Sequence, residues 1–158
     1  MVTRDVVTLA IVYNLSYHEC GGGRVPDRSR VTVLRPEEWR PRTPKVPGSR
    51  VSLIIDKLID GADLYGGINV LEPGRTIPAH WHDDRGELQF ILSGVGVALD
   101  GQGGETLVGP HHVVFAPGGP EGTHGFRNDS NLPLVILFFY PSAGGEAPPM
   151  TFADAAAG

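Results

Sequence analysis

Two histidines and a glutamate lie close together near the middle of the 158-residue chain, in the segment GRTIPAHWHDDRGELQFILSG, residues 74–94. Side chains alternate between the two faces of a β-strand, so His80 and His82 should leave the same face, with Trp81 on the other. The turn DDRG should then reverse the chain and place Glu87 on the neighbouring strand beside them. The pattern predicts a divalent metal ion held by these three side chains, with positions left open for water or substrate.

The predicted ligands are imidazoles and a carboxylate, a donor set that suits one divalent transition metal. Iron, manganese, nickel, cobalt and zinc all bind such sites, and affinity alone does not choose between them. Gln89 lies two residues after Glu87 and shares its face of the strand. Its amide either orients a ligand or substrate or simply packs at the mouth of the site. We therefore take Glu87 and Gln89 as the candidate catalytic residues.

The rest of the chain predicts an all-β fold. Its 22 glycines and 14 prolines fall at short intervals between β-branched and aromatic runs, which is typical of short strands joined by turns. A single helical turn is expected at RPEEW, residues 35–39, and no other segment has a helical pattern. The architecture is then a jelly roll or barrel. The predicted strands are residues 51–59, 65–71, 76–82, 87–92, 96–99, 105–107, 113–116, 122–127 and 134–140.

Three regions are expected along the chain: an N-terminal arm with a proline-rich connector (1–48), a barrel (49–141) and a C-terminal tail (142–158). The arm contains VVTLAIVYNL, residues 6–15, which has a high β-propensity. An exposed strand of this kind invites pairing. We expect a homodimer in which this segment adds a strand to a sheet, quite possibly the partner's; the alternative is a disordered leader.

Charge and cysteine content exclude some functions. Lysine and arginine total 13 against 18 acidic residues, without a basic run, so nucleic-acid binding is not expected. Residues 6–15 are too short an apolar run to cross a membrane. Cys20 is the one cysteine, which rules out a disulfide within the chain and agrees with a cytoplasmic location.

The spacing of the central segment resembles the first motif of the cupin superfamily. Gly74, His80, His82, Glu87 and Gly94 match that motif at every position. The resemblance extends over about residues 50–141. It implies a double-stranded β-helix, a small jelly-roll barrel with one open mouth and a divalent metal inside.

A later segment, GPHHVVFAPGGPEGTHGFRN, resembles the second cupin motif through Pro117, Gly119, His124 and Asn128. The resemblance makes His124 the fourth ligand, completing a three-histidine, one-glutamate site with His80, His82 and Glu87. Two departures stand out. Four residues separate Gly119 from His124 where two are usual, and the pair at 111–112 is His-His where Gly-Asp is usual.

Adjacent residues face opposite ways, so His111 and His112 cannot chelate one ion together and are expected in a solvated turn. Histidine at position 111 would also meet a steric cost if the turn required a positive φ.

The resemblance favours an enzyme with a small-molecule substrate, most simply an oxygenase using Fe(II), as many small single-domain cupins are. Lewis-acid chemistry without O₂ is the alternative: isomerisation, cyclisation, lyase activity or decarboxylation. A non-catalytic small-molecule-binding protein is a third possibility. For the Lewis-acid reactions the candidate base is a metal-bound hydroxide or Glu87 itself, because the sequence does not allow a tyrosine or lysine to be assigned to the pocket. An apolar wall that excludes water is predicted from Ile91, Phe115, Phe126, Ile136 and Phe138.

Overall fold

The computed structural model describes residues 31, 33–55, 63–142 and 146–153. The strand predicted at 6–15, and with it the arm of the expected homodimer, lies outside these residues. Within them, no helix is long and apolar enough to cross a membrane.

The described chain forms two antiparallel sheets that face each other, which confirms the expected all-β, double-stranded β-helix barrel. The first sheet has six strands in the order β1-β2-β3-β10-β5-β8, and the second has five in the order β11-β4-β9-β6-β7. The strands are β1 Arg40–Arg42, β2 Ser49–Ile55, β3 Leu64–Leu71, β4 Thr76–Trp81, β5 Glu87–Ser93, β6 Gly96–Asp100, β7 Glu105–Val108, β8 Val113–Ala116, β9 His124–Arg127, β10 Leu134–Pro141 and β11 Thr151–Phe152.

All nine predicted strands are present, and two short ones were not predicted. The end of the first predicted strand, 56–59, lies outside the described residues. The helical turn expected at 35–39 is a 3-10 turn at Pro36–Glu38. The strands that were not predicted are β1, which pairs with β2, and β11, which pairs with β4.

Alternation along β5 determines which side chains enter the barrel. Glu87, Gln89 and Ile91 are buried, whereas Leu88, which points the other way, is exposed. Ile91 belongs to the core cluster between the sheets, and burying each large apolar side chain of this kind contributes about 1.5–3 kcal/mol. The same cluster includes Leu71, Ile77, Phe126, Leu134 and Ile136.

Candidate metal centre

His80 and His82 are positioned by strand β4. His80 lies within the strand, His82 follows its last residue, and each side chain is about 98% hidden from solvent, with 2% exposed. Their ring centroids are 5.3 Å apart. The expected placement of the two imidazoles on one face is therefore observed.

His124 reaches the same place from strand β9. The register of β4 and β9 sets His124 directly opposite His80, with ring centroids 4.5 Å apart. The two extra residues before His124 are accommodated by a 3-10 turn at Pro120–Gly122. A side chain at Gly122 would overlap the carbonyl oxygen of Pro117, so this tight turn depends on glycine.

Glu87 enters from the opposite sheet, which corrects one prediction. Strand β5 lies between β10 and β8, whereas β4 lies in the other sheet beside β9. The turn DDRG therefore carries the chain across the barrel and does not form a hairpin between neighbouring strands. The Glu87 carboxylate is 4% exposed, and its Oε2 lies 2.7 Å from His124 Nε2 and 3.4 Å from His82 Nε2.

Each of the three histidines is oriented by the backbone. A carbonyl oxygen only accepts hydrogen bonds, so the ring nitrogen that contacts it carries the proton. In every case this nitrogen is Nδ1, which leaves Nε2 as the atom directed at the cluster. The acceptors are Pro78 for His80 at 2.8 Å, Pro149 for His82 at 2.7 Å and Gly122 for His124 at 2.8 Å.

The cluster fits a transition-metal ion. The potential ligand atoms of His80, His82, Glu87 and His124 all lie within 4.8 Å of one another, and all four residues are buried. Nε2 of His82 is buried without a hydrogen-bond partner, a costly state that a bound cation would relieve. Three imidazole nitrogens and one carboxylate oxygen suit several divalent metals, so the donor set does not identify the ion.

The charges of the cluster are mutually compensated. Burial would raise the pKa of Glu87, but the hydrogen bond with His124 and the neighbouring His82 lower it to about 2. Burial opposes protonation of His124, yet the hydrogen bond and charge of Glu87 raise its pKa. Burial and the charge of His124 lower the pKa of His80 to about 4. The protein thus holds a carboxylate and a proton where a metal would place its positive charge.

Three residues of the cluster, His80, His82 and Glu87, line a cavity, and His124 packs against them. We use "floor" for His80, His82, Glu87 and His124. Two segments flanking the central barrel, 42–46 and 147–150, also supply lining residues of the cavity, and we call them the rim. The second rim segment is fixed to the floor because Pro149 accepts the bond from His82 and strand β11 pairs with β4 beside His80.

The predicted apolar wall is correct in part. Phe126, Ile136 and Phe138 line the cavity. Ile91 is fully buried but packs in the core and does not line the cavity. The prediction that Phe115 belongs to this wall is wrong. Its side chain is 68% exposed, because Phe115 pairs in register with Leu88, whose side chain lies on the outer face of the sheet.

Gln89 lines the cavity as expected, 4% exposed and with an Oε1 that has no hydrogen-bond partner. Tyr65, Tyr140 and Lys45 also line it, side chains that could not be assigned to the pocket from the sequence. The Tyr140 ring lies 4.7 Å from that of His82, and burial and the nearby Glu87 carboxylate raise the pKa of Tyr140 well above its ordinary value. Tyr140 lies two residues after Phe138 on the same face of strand β10, so strand alternation could have predicted it in the cavity.

The remaining histidines of the second motif lie outside the floor. His111 has φ 72° and His112 lies in the same exposed turn, so the expectation of a solvated turn holds and the steric cost at 111 is real. The DDRG turn is likewise on the surface, where Arg85 pairs with Asp84.

Comparison with protein families identifies the central part of the chain. A family model described as "Cupin domain" matches residues 67–140. That range contains in full all three strands that position the floor residues, β4, β5 and β9. No curated protein sequence matches the chain.

Solved structures share this fold at low sequence identity. The polyketide cyclase RemF from Streptomyces resistomycificus is 21% identical with a TM-score of 0.65, covering 78% of this chain and 85% of that one. A cupin-2 domain protein from Rhodospirillum rubrum is 20% identical with a TM-score of 0.61, covering 80% and 84%. A predicted oxalate decarboxylase from Thermotoga maritima is 24% identical with a TM-score of 0.58, covering 70% and 99%. Residues 67–140 therefore match the cupin domain, and the described chain shares the barrel fold of these solved structures.

Proposed function

We propose that this protein is a metal-dependent enzyme that binds a small organic molecule at the floor of its cavity. The observation that supports this most strongly is the orientation of the floor. Three Nε2 atoms and one carboxylate converge there, and each Nδ1 is held by a backbone carbonyl. Four ligands leave further positions of a divalent ion open to substrate, which is typical of catalytic metals.

The reaction we favour is redox-neutral, a cyclisation or isomerisation of an oxygen-bearing substrate. A divalent ion on the floor would supply Lewis acidity, and a redox-active ion would add electron transfer. The Tyr140 hydroxyl stays protonated because burial and the Glu87 carboxylate, its hydrogen-bond partner, raise its pKa, and this single O–H turns from Glu87 to donate to a substrate oxygen when substrate binds. Gln89 Oε1, which has no hydrogen-bond partner within the protein, accepts a hydrogen bond from the substrate. The ring of Phe126 helps to exclude water from the cavity. Among proteins of this fold, RemF is described as a polyketide cyclase.

The second candidate is an Fe(II)-dependent dioxygenase. It is supported by the open donor set and by the apolar side chains Phe126, Ile136 and Phe138, which keep water from a reactive centre. Redox-neutral chemistry ranks first because it needs a protic side chain at the floor, and Tyr140 meets that need.

Loading the metal-free protein separately with Zn(II) and with Fe(II) distinguishes the two reactions. Each form is incubated with β-diketones and flavonols, with and without O₂, while oxygen uptake and product mass are followed. We expect turnover by the zinc form without O₂, giving products that contain no added oxygen. Turnover restricted to iron plus O₂, with two oxygen atoms gained, would establish the dioxygenase. A protein that binds neither metal would overturn both.

We also propose a cytoplasmic homodimer that uses residues 6–15 for assembly. This rests on the β-propensity of that segment alone. Sedimentation of the full chain and of a chain lacking residues 1–28 tests it. The dimer should weaken without the arm, and identical sedimentation of the two forms would contradict the proposal.

A further inference from the structure

The rim carries two positive charges, on Arg42 and Lys45, that face the same cavity as the floor. Arg42 Nη1 donates a hydrogen bond to the Tyr65 hydroxyl at 2.6 Å, and its guanidinium lies 5.7 Å from the centre of the Tyr65 ring. Within the part of the chain that the structure describes, neither cation has a carboxylate within ion-pair distance. The charges at the rim are therefore not neutralised by any carboxylate of the described residues.

Three other arginines differ from Arg42 in having a carboxylate partner. The chain carries a net charge of −5, so carboxylates are abundant. Three arginines outside the cavity each pair with one or more carboxylates. These pairs are Arg50 with Glu72 at 2.9 Å, Arg85 with Asp84 at 2.5 Å, and Arg127 with Glu105 at 2.6 Å and Asp129 at 2.8 Å. Arg42 instead has the neutral phenol of Tyr65 as its hydrogen-bond partner.

Arg42 and Lys45 are close enough to influence each other. Partial burial and the charge of Arg42 lower the pKa of Lys45, as expected for two cations without an anion between them. Glu87 is the one carboxylate among the described residues that line the cavity, and it pairs with His124 at the floor. An anion from outside the chain would remove this repulsion.

Two buried amide oxygens in the cavity also have no partner. They are Oε1 of Gln89 and Oδ1 of Asn69. An unpaired buried acceptor is costly, and a hydroxyl group on a ligand would satisfy it. The walls beside them are apolar, formed by Ile136, Phe138 and their neighbours.

A series of rings connects the rim with the floor. The Tyr65 hydroxyl contacts Arg42, the Tyr65 ring lies 6.0 Å from that of Tyr140, and the Tyr140 ring lies 4.7 Å from that of His82. A ligand held at both ends would lie along these aromatic faces. Such a ligand needs an apolar or aromatic body between its two polar ends.

We propose that Arg42 and Lys45 form an anion subsite that binds a carboxylate of the substrate. The substrate class is then a small organic acid with an apolar body and a hydroxyl group, held at the rim by its carboxylate. The guanidinium suits a carboxylate because its parallel N–H groups match the two oxygens. The inference rests on the proposed function, since the other end of the substrate is placed at the floor.

The test compares a β-diketone that carries a carboxylate, 4-acetoacetylbenzoate, with its uncharged methyl ester. Both are titrated by calorimetry into the zinc-loaded full-length protein. The acid should bind at least about tenfold more tightly, the effect of one charged hydrogen bond. Arg42→Gln and Lys45→Gln should each weaken binding of the acid but leave the ester unchanged. Arg50→Gln, which alters a paired arginine outside the cavity, should retain the full preference.

Equal binding of acid and ester by the unaltered protein, or no binding of the acid, would overturn the subsite. So would a preference that survives in the double variant of Arg42 and Lys45. Metal content, measured on the same samples, reports separately on the proposed function. A protein that binds no zinc but still prefers the acid through Arg42 would contradict the metal-dependent reaction and leave the subsite standing.

Discussion

The floor and the rim of the cavity are built in different ways. Every floor residue is buried and lies in or directly beside a strand of the central barrel, and the Glu87 carboxylate is paired with His124. At the rim, Lys45 is exposed, Arg42 is half-buried, and neither charge is balanced within the described chain. Strand register in the barrel thus positions the floor residues, whereas the flanking segments supply the uncompensated charges of the rim.

Removing a floor ligand should reduce metal affinity more than any change at the rim. We expect His82→Ala to lower metal affinity by more than about 100-fold, beyond the usual loss for an outer-shell partner. The barrel should stay folded because its apolar core is untouched. Elemental analysis with circular dichroism measures both. His112→Ala, in the exposed turn, is the control and should keep its metal; a fully metallated His82→Ala protein would contradict the site.

A chain that ends at Ser142 tests whether the rim supports the floor. It lacks the Pro149 carbonyl that orients His82, so metal affinity should fall by about 10-fold to 100-fold, less than with a lost ligand. Competition with a chelator gives the affinity. Phe152→Ala keeps that carbonyl and removes only a ring near His80, so its affinity should stay close to normal. Unchanged metal affinity in the shortened chain would show that the rim does not support metal binding at the floor.

Phe115→Ala should have the smallest effect. Because this side chain is exposed on the outer face, its loss should change the free energy of unfolding by less than about 0.5 kcal/mol and leave metal content unaltered. Urea unfolding and elemental analysis measure these. Loss of metal in this variant would contradict the exposed position of Phe115 and support its predicted place in the cavity wall.

Much of the floor could be predicted from sequence because its signal is local. His80 and His82 share a strand, and alternation alone fixes their common face. The position of Glu87 could not be predicted, since a four-residue turn does not reveal whether the chain returns beside β4 or crosses to the other sheet. Only the pairing of β5 with β10 and β8 decides this.

The rim could not be predicted for a different reason. Strands β1 and β11 have three and two residues, too few for periodicity to identify. They form by pairing with β2 and β4, and such pairing depends on contacts distant in sequence. Phe115 shows the same limit, because its face depends on register with β5.

X-ray absorption spectroscopy of the zinc-loaded protein tests the central claim most directly. If the floor holds the metal, the spectrum should show three imidazole nitrogens at about 2.0–2.1 Å and a carboxylate oxygen at about 2.0–2.2 Å. In His80→Ala the imidazole count should fall to two or the metal should be lost. A spectrum with fewer than three imidazoles in the unaltered protein, or one that is identical after His80→Ala, would contradict the account.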